Sequence, residues 1–262
     1  MTDRAWSEGL PSFSAPPVIE VAMGIEFVPI PGLTTIKLVE LHRMWESEFP
    51  QVQEQPALQP SNMPIESGLR FNVGIPPIRL WMISASDDLL LQIQNDRIIL
   101  NWRRTPGNEY PRYATLREKY ASIWSAFSSE VSRLGIGDLA PVTAEVSFVN
   151  RVEESNSMAG LSIENVVSTI SPTSILSAAS DSVLNIRIPI WEGECEVGQQ
   201  TVVAAFAQMP SRTVTLDLAA RIRVEGMESS AITSALDAAH RSGVESFAKI
   251  TTPEMHKIWG KR

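Results

Sequence analysis

The chain has 262 residues, of which 44% are hydrophobic and 20% are charged, and its formal net charge is −8. This length suits one large domain or two of about 130 residues, each able to bury a core. No apolar run approaches eighteen residues and no signal peptide opens the chain, so we expect a cytoplasmic protein without membrane spans. Each half, divided at residue 131, has 11 basic and 15 acidic residues. This even acidic surplus argues against nucleic acid as the main partner.

The first predicted elements are a strand and a helix. Residues 18–27 have apolar side chains at alternate positions, which is the period of a half-buried strand. The alternating residues are Val21, Met23, Ile25 and Phe27. Apolar residues at helical spacing then predict a helix over 34–49, with Thr34 as its N-cap and Pro50 ending it.

A Pro-rich stretch, a meander and a long helix are predicted next. The six prolines from 50 to 77 predict a long irregular excursion, with a short extended piece near 69–73. Short apolar runs separated by turn residues predict three antiparallel strands, over 78–84, 89–94 and 97–102. Helical spacing predicts a helix from Arg112 to Leu134, which Gly135 ends.

The same order of elements is predicted for the second half. The elements are a strand over 141–152, a short helix over 161–170, strands over 183–191, 201–209 and 213–224, and a helix over 230–249 with Ser230 as its N-cap. Ala15-Pro16 and Glu20-Val21 also recur as Ala140-Pro141 and Glu145-Val146, at one constant offset of 125 residues.

We therefore expect an α+β fold of two repeated strand-helix-three-strand-helix units with antiparallel sheets, related by a pseudo-twofold axis. The predicted division is a flexible leader over 1–14, a first repeat over 15–137 and a second repeat over 138–262. The two repeats form either separate units or one continuous domain.

Few residues offer catalytic or metal-binding chemistry. The sequence has no HExxH, Walker-type, GxGxxG or GxSxG motif. Its single cysteine, Cys195, excludes an internal disulfide and a Cys-based zinc cage. His240 falls on or near the buried stripe of the closing helix, where we interpret it as a packed core residue. We expect no catalytic residue, metal or cofactor.

The candidate site is the Arg-aromatic segment, residues 94–113, which has four arginines and three aromatic residues. Arginine suits bidentate contacts with carboxylate or phosphate and stacks on aromatic rings, so this composition favours an anion or acidic-peptide site. The candidate residues for ligand or partner binding are Arg97, Asn101, Arg103, Arg104, Tyr110, Arg112 and Tyr113.

An alternative interpretation of this segment is internal scaffolding. In a strand over 97–102, the alternation would place Arg97, Asn101 and Arg103 on a polar face opposite the core. The four arginines of the segment would then pair with Asp96, Glu109 and Glu118. These ion pairs would fix the connection between strand and helix.

Several of these motifs resemble those of a sporadically distributed, uncharacterised bacterial family. They are Pro16-Pro17-Val18-Ile19-Glu20-Val21, Asn101-Trp102-Arg103-Arg104, Tyr110-Pro111-Arg112-Tyr113 and a closing helix with Phe247, Ile250 and Trp259. The resemblance covers nearly the whole chain. Its patchy distribution implies a neighbourhood of mobile or defence-type genes and gives no activity.

The function that we expect is that of a non-enzymatic partner-binding or regulatory protein from a bacterial defence or toxin-antitoxin-type locus. An acidic chain would suit a basic protein partner. The first alternative is an enzyme or sensor that binds an anionic small molecule, such as a nucleotide, through Arg97, Arg103 and Arg112. The second alternative is a structural homo-oligomer.

Overall fold

The computed structural model describes residues 7–59, 78–155, 160–171 and 179–262. Within these ranges the chain is a mixed α and β protein, with nine strands in one open antiparallel sheet and five helices. None of the helices in these ranges is both long and apolar enough to cross a membrane.

The strands and helices have the following bounds. The strands are β1 Val18–Phe27, β2 Gln51–Pro56, β3 Ile78–Ile83, β4 Leu89–Gln94, β5 Arg97–Arg103, β6 Pro141–Glu153, β7 Asp181–Glu192, β8 Cys195–Ala207 and β9 Thr213–Arg223. The helices are α1 Thr35–His42, α2 Arg112–Leu134, α3 Ile163–Val166, α4 Ser229–Ile250 and α5 Pro253–Ile258.

Periodicity placed most of these elements correctly. The strands β1 and β4 and the helix α2 have the predicted bounds, and Gly135 ends α2 in the left-handed conformation, at φ 60°. The remaining strands of the two meanders, and β6, agree with their predictions to within a few residues at each end, except that β8 begins six residues earlier, at Cys195.

The structure corrects the predictions elsewhere. The helix predicted over 34–49 ends at His42, and turns with i to i−3 hydrogen bonds follow it as far as Glu48, with an i to i−4 bond from the Phe49 amide. The stretch after Pro50, predicted to be irregular, begins with β2, which pairs with β3. The extended piece predicted near 69–73 lies outside the described residues.

Further corrections concern the second half. The short helix predicted over 161–170 is limited to α3, Ile163–Val166. Glu228 rather than Ser230 is the N-cap of α4. A further helix, α5, follows at Pro253, where no helix was predicted, and Thr252 caps it by accepting a hydrogen bond from the Met255 amide.

The sheet is continuous across the two halves of the chain. Its order is β2-β3-β4-β5-β1-β6-β9-β8-β7, so β1 and β6 join at the centre. Met23 lies opposite Val146 and Ile25 opposite Ala144 at this junction. Among the described strands, β2 and β7 are the two outermost strands of the sheet.

One face of the sheet packs against the helices. The alternating apolar residues of β1, together with those of β3, β4 and β5, contact α1 and α2 and continue under α4 in one core. A second core lies towards the end of the chain and combines β8 and β9 with α3, α5 and the end of α4. Phe13, within the segment predicted as a leader, is 7% exposed in this second core.

Candidate functional site

The structure divides the Arg-aromatic segment between two places. Arg97, Asn101 and Arg103 lie on β5 and point to the sheet face opposite the helices, since Ile98, Leu100 and Trp102 of the same strand belong to the helix-side core. Tyr110 lies just before α2 and Arg112 and Tyr113 begin it, and all three line a cavity on the helix side. The seven candidate residues therefore do not form one site.

Arg97 belongs to a buried ion cluster. Its Nε and Nη2 donate to the two carboxylate oxygens of Asp96 at 3.0 and 2.9 Å, and Nη2 also contacts Glu26 Oε1 at 3.1 Å. The same Nη2 donates to the carbonyl oxygen of Gln59 at 3.2 Å. Because the guanidinium is held by these partners and is only 7% exposed, we assign Arg97 to the scaffold of the sheet.

Asn101, Arg103 and Arg104 also have partners within the chain. Asn101 donates to Glu20 Oε1 at 2.6 Å and accepts from Gln92 at 2.6 Å. Arg103 forms an ion pair with Asp87, and Arg104 Nε donates to the carbonyl oxygen of Val18 at 3.0 Å.

The scaffolding alternative therefore describes these β5 residues, although two of its partners differ. Asp96 binds Arg97 as that interpretation expects. Glu26 and Asp87 are the other carboxylates that the arginines of β5 contact, where Glu109 and Glu118 were predicted.

The remaining three candidates line a cavity of about 770 Å³. Its walls come from the N-terminal segment, the start of α2, the strands β1 and β6, and the middle of α4. The aromatic and imidazole side chains in the lining are Phe13, Tyr110, Tyr113, Phe148, His240 and Phe247. Two arginines, Arg112 and Arg262, also line it and are exposed.

Tyr113 and His240 form the polar centre of this aromatic wall. Their rings stack, with centroids 3.8 Å apart and planes inclined by 15°. The Tyr113 hydroxyl donates to Asp237 Oδ1 at 2.8 Å, and Arg117 binds both oxygens of the same carboxylate at 2.7 and 2.8 Å. This bridge between α2 and α4 fixes the orientation of the Tyr113 ring.

Burial controls the protonation of both stacked groups. It raises the pKa of the Tyr113 phenol well above its usual value, and the nearby Asp237 carboxylate adds to the shift. Burial also lowers the pKa of His240 to about 3, with a smaller contribution from Arg241. At neutral pH the cavity therefore presents an uncharged phenol and an uncharged imidazole.

Arg112 joins the N-terminal segment to α2. Its Nη1 and Nη2 donate to the carbonyl oxygens of Phe13 and Ser14 at 3.0 and 3.2 Å, and its guanidinium lies 5.7 Å from the centroid of the Tyr110 ring. The residue has φ 70°, a left-handed conformation that is uncommon for a side chain of this size. An unusual backbone thus places this cation at the cavity, beside the exposed Ser14.

Sequence reasoning missed two residues of this cavity. His240 is buried, as its helical position indicated, but it also lines the cavity against Tyr113. Phe13 was placed in a leader, whereas its ring packs edge-on against Phe247 at 5.1 Å. In the part of the chain that the structure describes, no group of three His, Cys, Asp or Glu residues is placed to hold a metal ion.

Acid should destabilise the fold through His240. Because the folded state lowers its pKa to about 3 from 6.5, the unfolded chain binds the extra proton between these values, and stability falls as pH drops through this window. Each pH unit would contribute at most about 1.4 kcal/mol. We expect His240→Phe, which keeps an aromatic ring against Tyr113, to have a shallower loss of unfolding free energy between pH 6.5 and 4 in urea titrations. Equal slopes for the two proteins would contradict the assignment.

Comparison with known proteins gives no match to a family model, a curated protein or a solved structure.

Proposed function

We propose that this chain is a ligand-binding regulatory protein whose cavity holds a small molecule with a flat apolar body and an anionic group. The observation that carries this proposal is the cavity of about 770 Å³, which combines a stacked Tyr113–His240 pair with two exposed arginines. Its volume lies in the range of about 300–1,000 Å³ typical of small-molecule sites.

The aromatic lining supports a flat apolar ligand body. Phe13, Phe148 and Phe247 line the same cavity as the Tyr113–His240 pair, so several ring faces and edges border it. Aromatic groups prefer offset-stacked or edge-to-face contacts with such rings. The lining also contains the buried Asn150, whose amide donates to the Leu216 carbonyl at 3.0 Å.

The charges at the cavity support an anionic group on the ligand. Arg112 and Arg262 are the charged side chains among the described lining residues, and neither Asp nor Glu belongs to this lining. A guanidinium binds carboxylate or phosphate through parallel hydrogen bonds. The sequence indicated Arg97, Arg103 and Arg112 as candidates to bind an anionic ligand such as a nucleotide. Of these three, only Arg112 lines the proposed site, whereas Arg97 and Arg103 bind carboxylates on the sheet.

The protonation of the cavity groups supports binding rather than proton transfer. The Tyr113 phenol has a raised pKa and His240 has a lowered one. Since a general acid or base needs a pKa near the working pH, neither group suits proton transfer near neutral pH. An uncharged imidazole and a phenol that is bonded to Asp237 instead provide a fixed surface for recognition.

A thermal-shift screen with matched ligand pairs tests this proposal. We expect an aromatic carboxylate or phosphate to stabilise the protein, by about 2.7 kcal/mol at a hundredfold excess over its dissociation constant. Arg112→Gln should raise the dissociation constant of the anionic ligand about tenfold to a hundredfold, because a charge-assisted hydrogen bond contributes about 1.5–3 kcal/mol. Binding of the neutral amide analogue should weaken clearly less, because that ligand loses only the support that Arg112 gives the cavity wall through the Phe13 and Ser14 carbonyls.

Arg104→Gln is the matched control for this screen, since Arg104 is also exposed but does not line the cavity. Its variant should bind like the wild type. If no anionic aromatic compound stabilises the wild-type protein, or if Arg104→Gln weakens binding as much as Arg112→Gln, the proposed site is wrong.

We also propose that the two halves are duplicated units related by a pseudo-twofold axis. The order outward from the central junction supports this: it is β1, β5, β4 and β3 on one side, and β6, β9, β8 and β7 on the other. Ala22 and Ser147, which are 125 residues apart, lie directly opposite each other at the junction. The offset seen in the sequence is therefore compatible with an axis through this pair. In the first half β2 lies outside β3, and most of the positions that would correspond to β2 in the second half fall outside the described residues.

A further inference from the structure

The strand β7 is a long edge of the sheet with an exposed surface. It has twelve residues, and among the strands that the structure describes it pairs only with β8. Val183 is 72% exposed, and Leu184 and Ile186 are only partly buried although they contact the second core. Natural proteins usually protect such an edge, because its unpaired backbone groups can add another strand.

One hydrogen bond shows which residues of β7 present their backbone groups outward. The Gln208 amide donates to the Ser180 carbonyl at 3.0 Å, directly beyond the β7–β8 ladder. In an antiparallel ladder such bonds involve alternate residues, so the even-numbered residues of β7 bond to β8. The N–H and C=O groups of the odd-numbered residues therefore point away from the sheet. These residues are Asp181, Val183, Asn185, Arg187 and Pro189.

Pro189 limits how far this edge can be paired. It belongs to the outward set and has no N–H, which is the position where an edge strand tolerates proline. A strand added beyond it would lose a ladder bond there. The segment available for regular pairing is therefore 181–187, which contains one acidic and one basic residue, Asp181 and Arg187.

We propose that β7 pairs antiparallel with β7 of a second copy of this chain, centred on Leu184. This register places Arg187 opposite Asp181 of the second copy, and Val183 opposite Asn185 of the second copy. Both are pairs of outward-pointing residues, as the ladder requires. On the helix-side face, Leu184 meets its own counterpart, so a partly exposed apolar residue becomes covered.

The alternative registers are less favourable. Centring the pair on Val183 places Asp181 opposite Asn185 and removes the contact between Arg187 and Asp181. Centring it on Asn185 places Asp181 opposite Pro189, which removes a hydrogen bond. The charges and the proline thus select the register centred on Leu184, and the two strands would extend the nine-stranded sheet across a twofold axis.

Disulfide trapping tests this register directly. In a Cys195→Ser background, which removes the exposed free cysteine, Leu184→Cys should form a covalent dimer under mild oxidation. In the proposed register, residue 184 of one copy lies opposite residue 184 of the other in a non-hydrogen-bonded pair. The two Cα atoms of such a pair lie about 4.5 Å apart, within the range for a disulfide. Ile188→Cys is the control, because it is 43% exposed on the same strand but lies far from its counterpart. Equal crosslinking of the two variants would overturn the register.

Charge exchange tests the same interface without oxidation. Sedimentation equilibrium should show a concentration-dependent dimer for the wild type, and Arg187→Asp should raise its dissociation constant at least about tenfold. The double variant Asp181→Arg/Arg187→Asp should restore the dimer, because the opposite charges face each other again. Asn185→Pro should also dissociate it by removing an outward N–H. A monomeric wild type, or a dimer that withstands both Arg187→Asp and Asn185→Pro, would overturn the proposal.

Discussion

Replacing Asp237 with Ala is expected to lower the free energy of unfolding by about 2–4 kcal/mol, measured by urea denaturation. Asp237 accepts hydrogen bonds from the Tyr113 hydroxyl and from two nitrogens of Arg117, and these bonds connect α2 to α4. Tyr113 is 3% exposed, so its hydroxyl would lose its acceptor in a place that water reaches poorly. The loss should exceed that of an ordinary surface ion pair.

Glu245→Ala is the matched control on the same helix. Glu245 forms an ion pair with Arg241 at 3.9 Å, and both side chains are well exposed, at 40% and 38%. Such pairs contribute about 0–1 kcal/mol. If the two variants lost equal stability, the Tyr113–Asp237–Arg117 bridge would not have the role that we assign to it.

Replacing Phe13 with Ala should have the second large effect, and it should act on both stability and ligand binding. The Phe13 ring contacts Phe247, His256 and Trp259 with centroids 5.1, 5.6 and 6.3 Å away, and it is 7% exposed. Truncating a buried phenylalanine costs about 3–5 kcal/mol, although detachment of the N-terminal segment would limit this loss. Because Phe13 lines the cavity, its removal also opens the binding site.

Denaturant titration measures the loss of stability, and hydrogen exchange measures whether the N-terminal segment detaches and opens the cavity. We expect the amides of Ser14 and Ala15, which bond to the carbonyls of Gly260 and Trp259, to exchange faster in Phe13→Ala. Val28→Ala is the control, because Val28 is 51% exposed and does not line the cavity. Unchanged protection of Ser14 and Ala15 would show that Phe13 does not hold this segment.

The elements that could be predicted from the sequence are those with a clear apolar period. The strand β1 alternates apolar and small or polar residues, and α2 has a continuous buried stripe, so each pattern identified its element. In contrast, β2 has the sequence Gln-Val-Gln-Glu-Gln-Pro and is mostly exposed. Its strand depends on pairing with β3, and tertiary pairing of this kind leaves no local apolar pattern.

The candidate site could be predicted only in part, for a related reason. The Tyr-Pro-Arg-Tyr motif drew attention to Tyr110, Arg112 and Tyr113, and these residues do line the cavity. Their partners His240 and Phe13 lie on elements far away along the chain and have no local motif. The arginines of β5 carried the same compositional signal, but Asp96, Glu26 and Asp87 bind them. Composition cannot distinguish an arginine that binds carboxylates of the sheet from one such as Arg112, which binds backbone carbonyls and lines a cavity.

The most direct test of the proposed function is a calorimetric titration of an anionic aromatic ligand into the wild type and into Val244→Trp. Val244 is partly exposed on α4 and lines the cavity, so a larger side chain there should occupy the space that the ligand needs. Circular dichroism should show that Val244→Trp folds like the wild type. This variant should bind the ligand at least about a hundredfold more weakly, which corresponds to about 2.8 kcal/mol. Equal dissociation constants for the two proteins would contradict binding in this cavity.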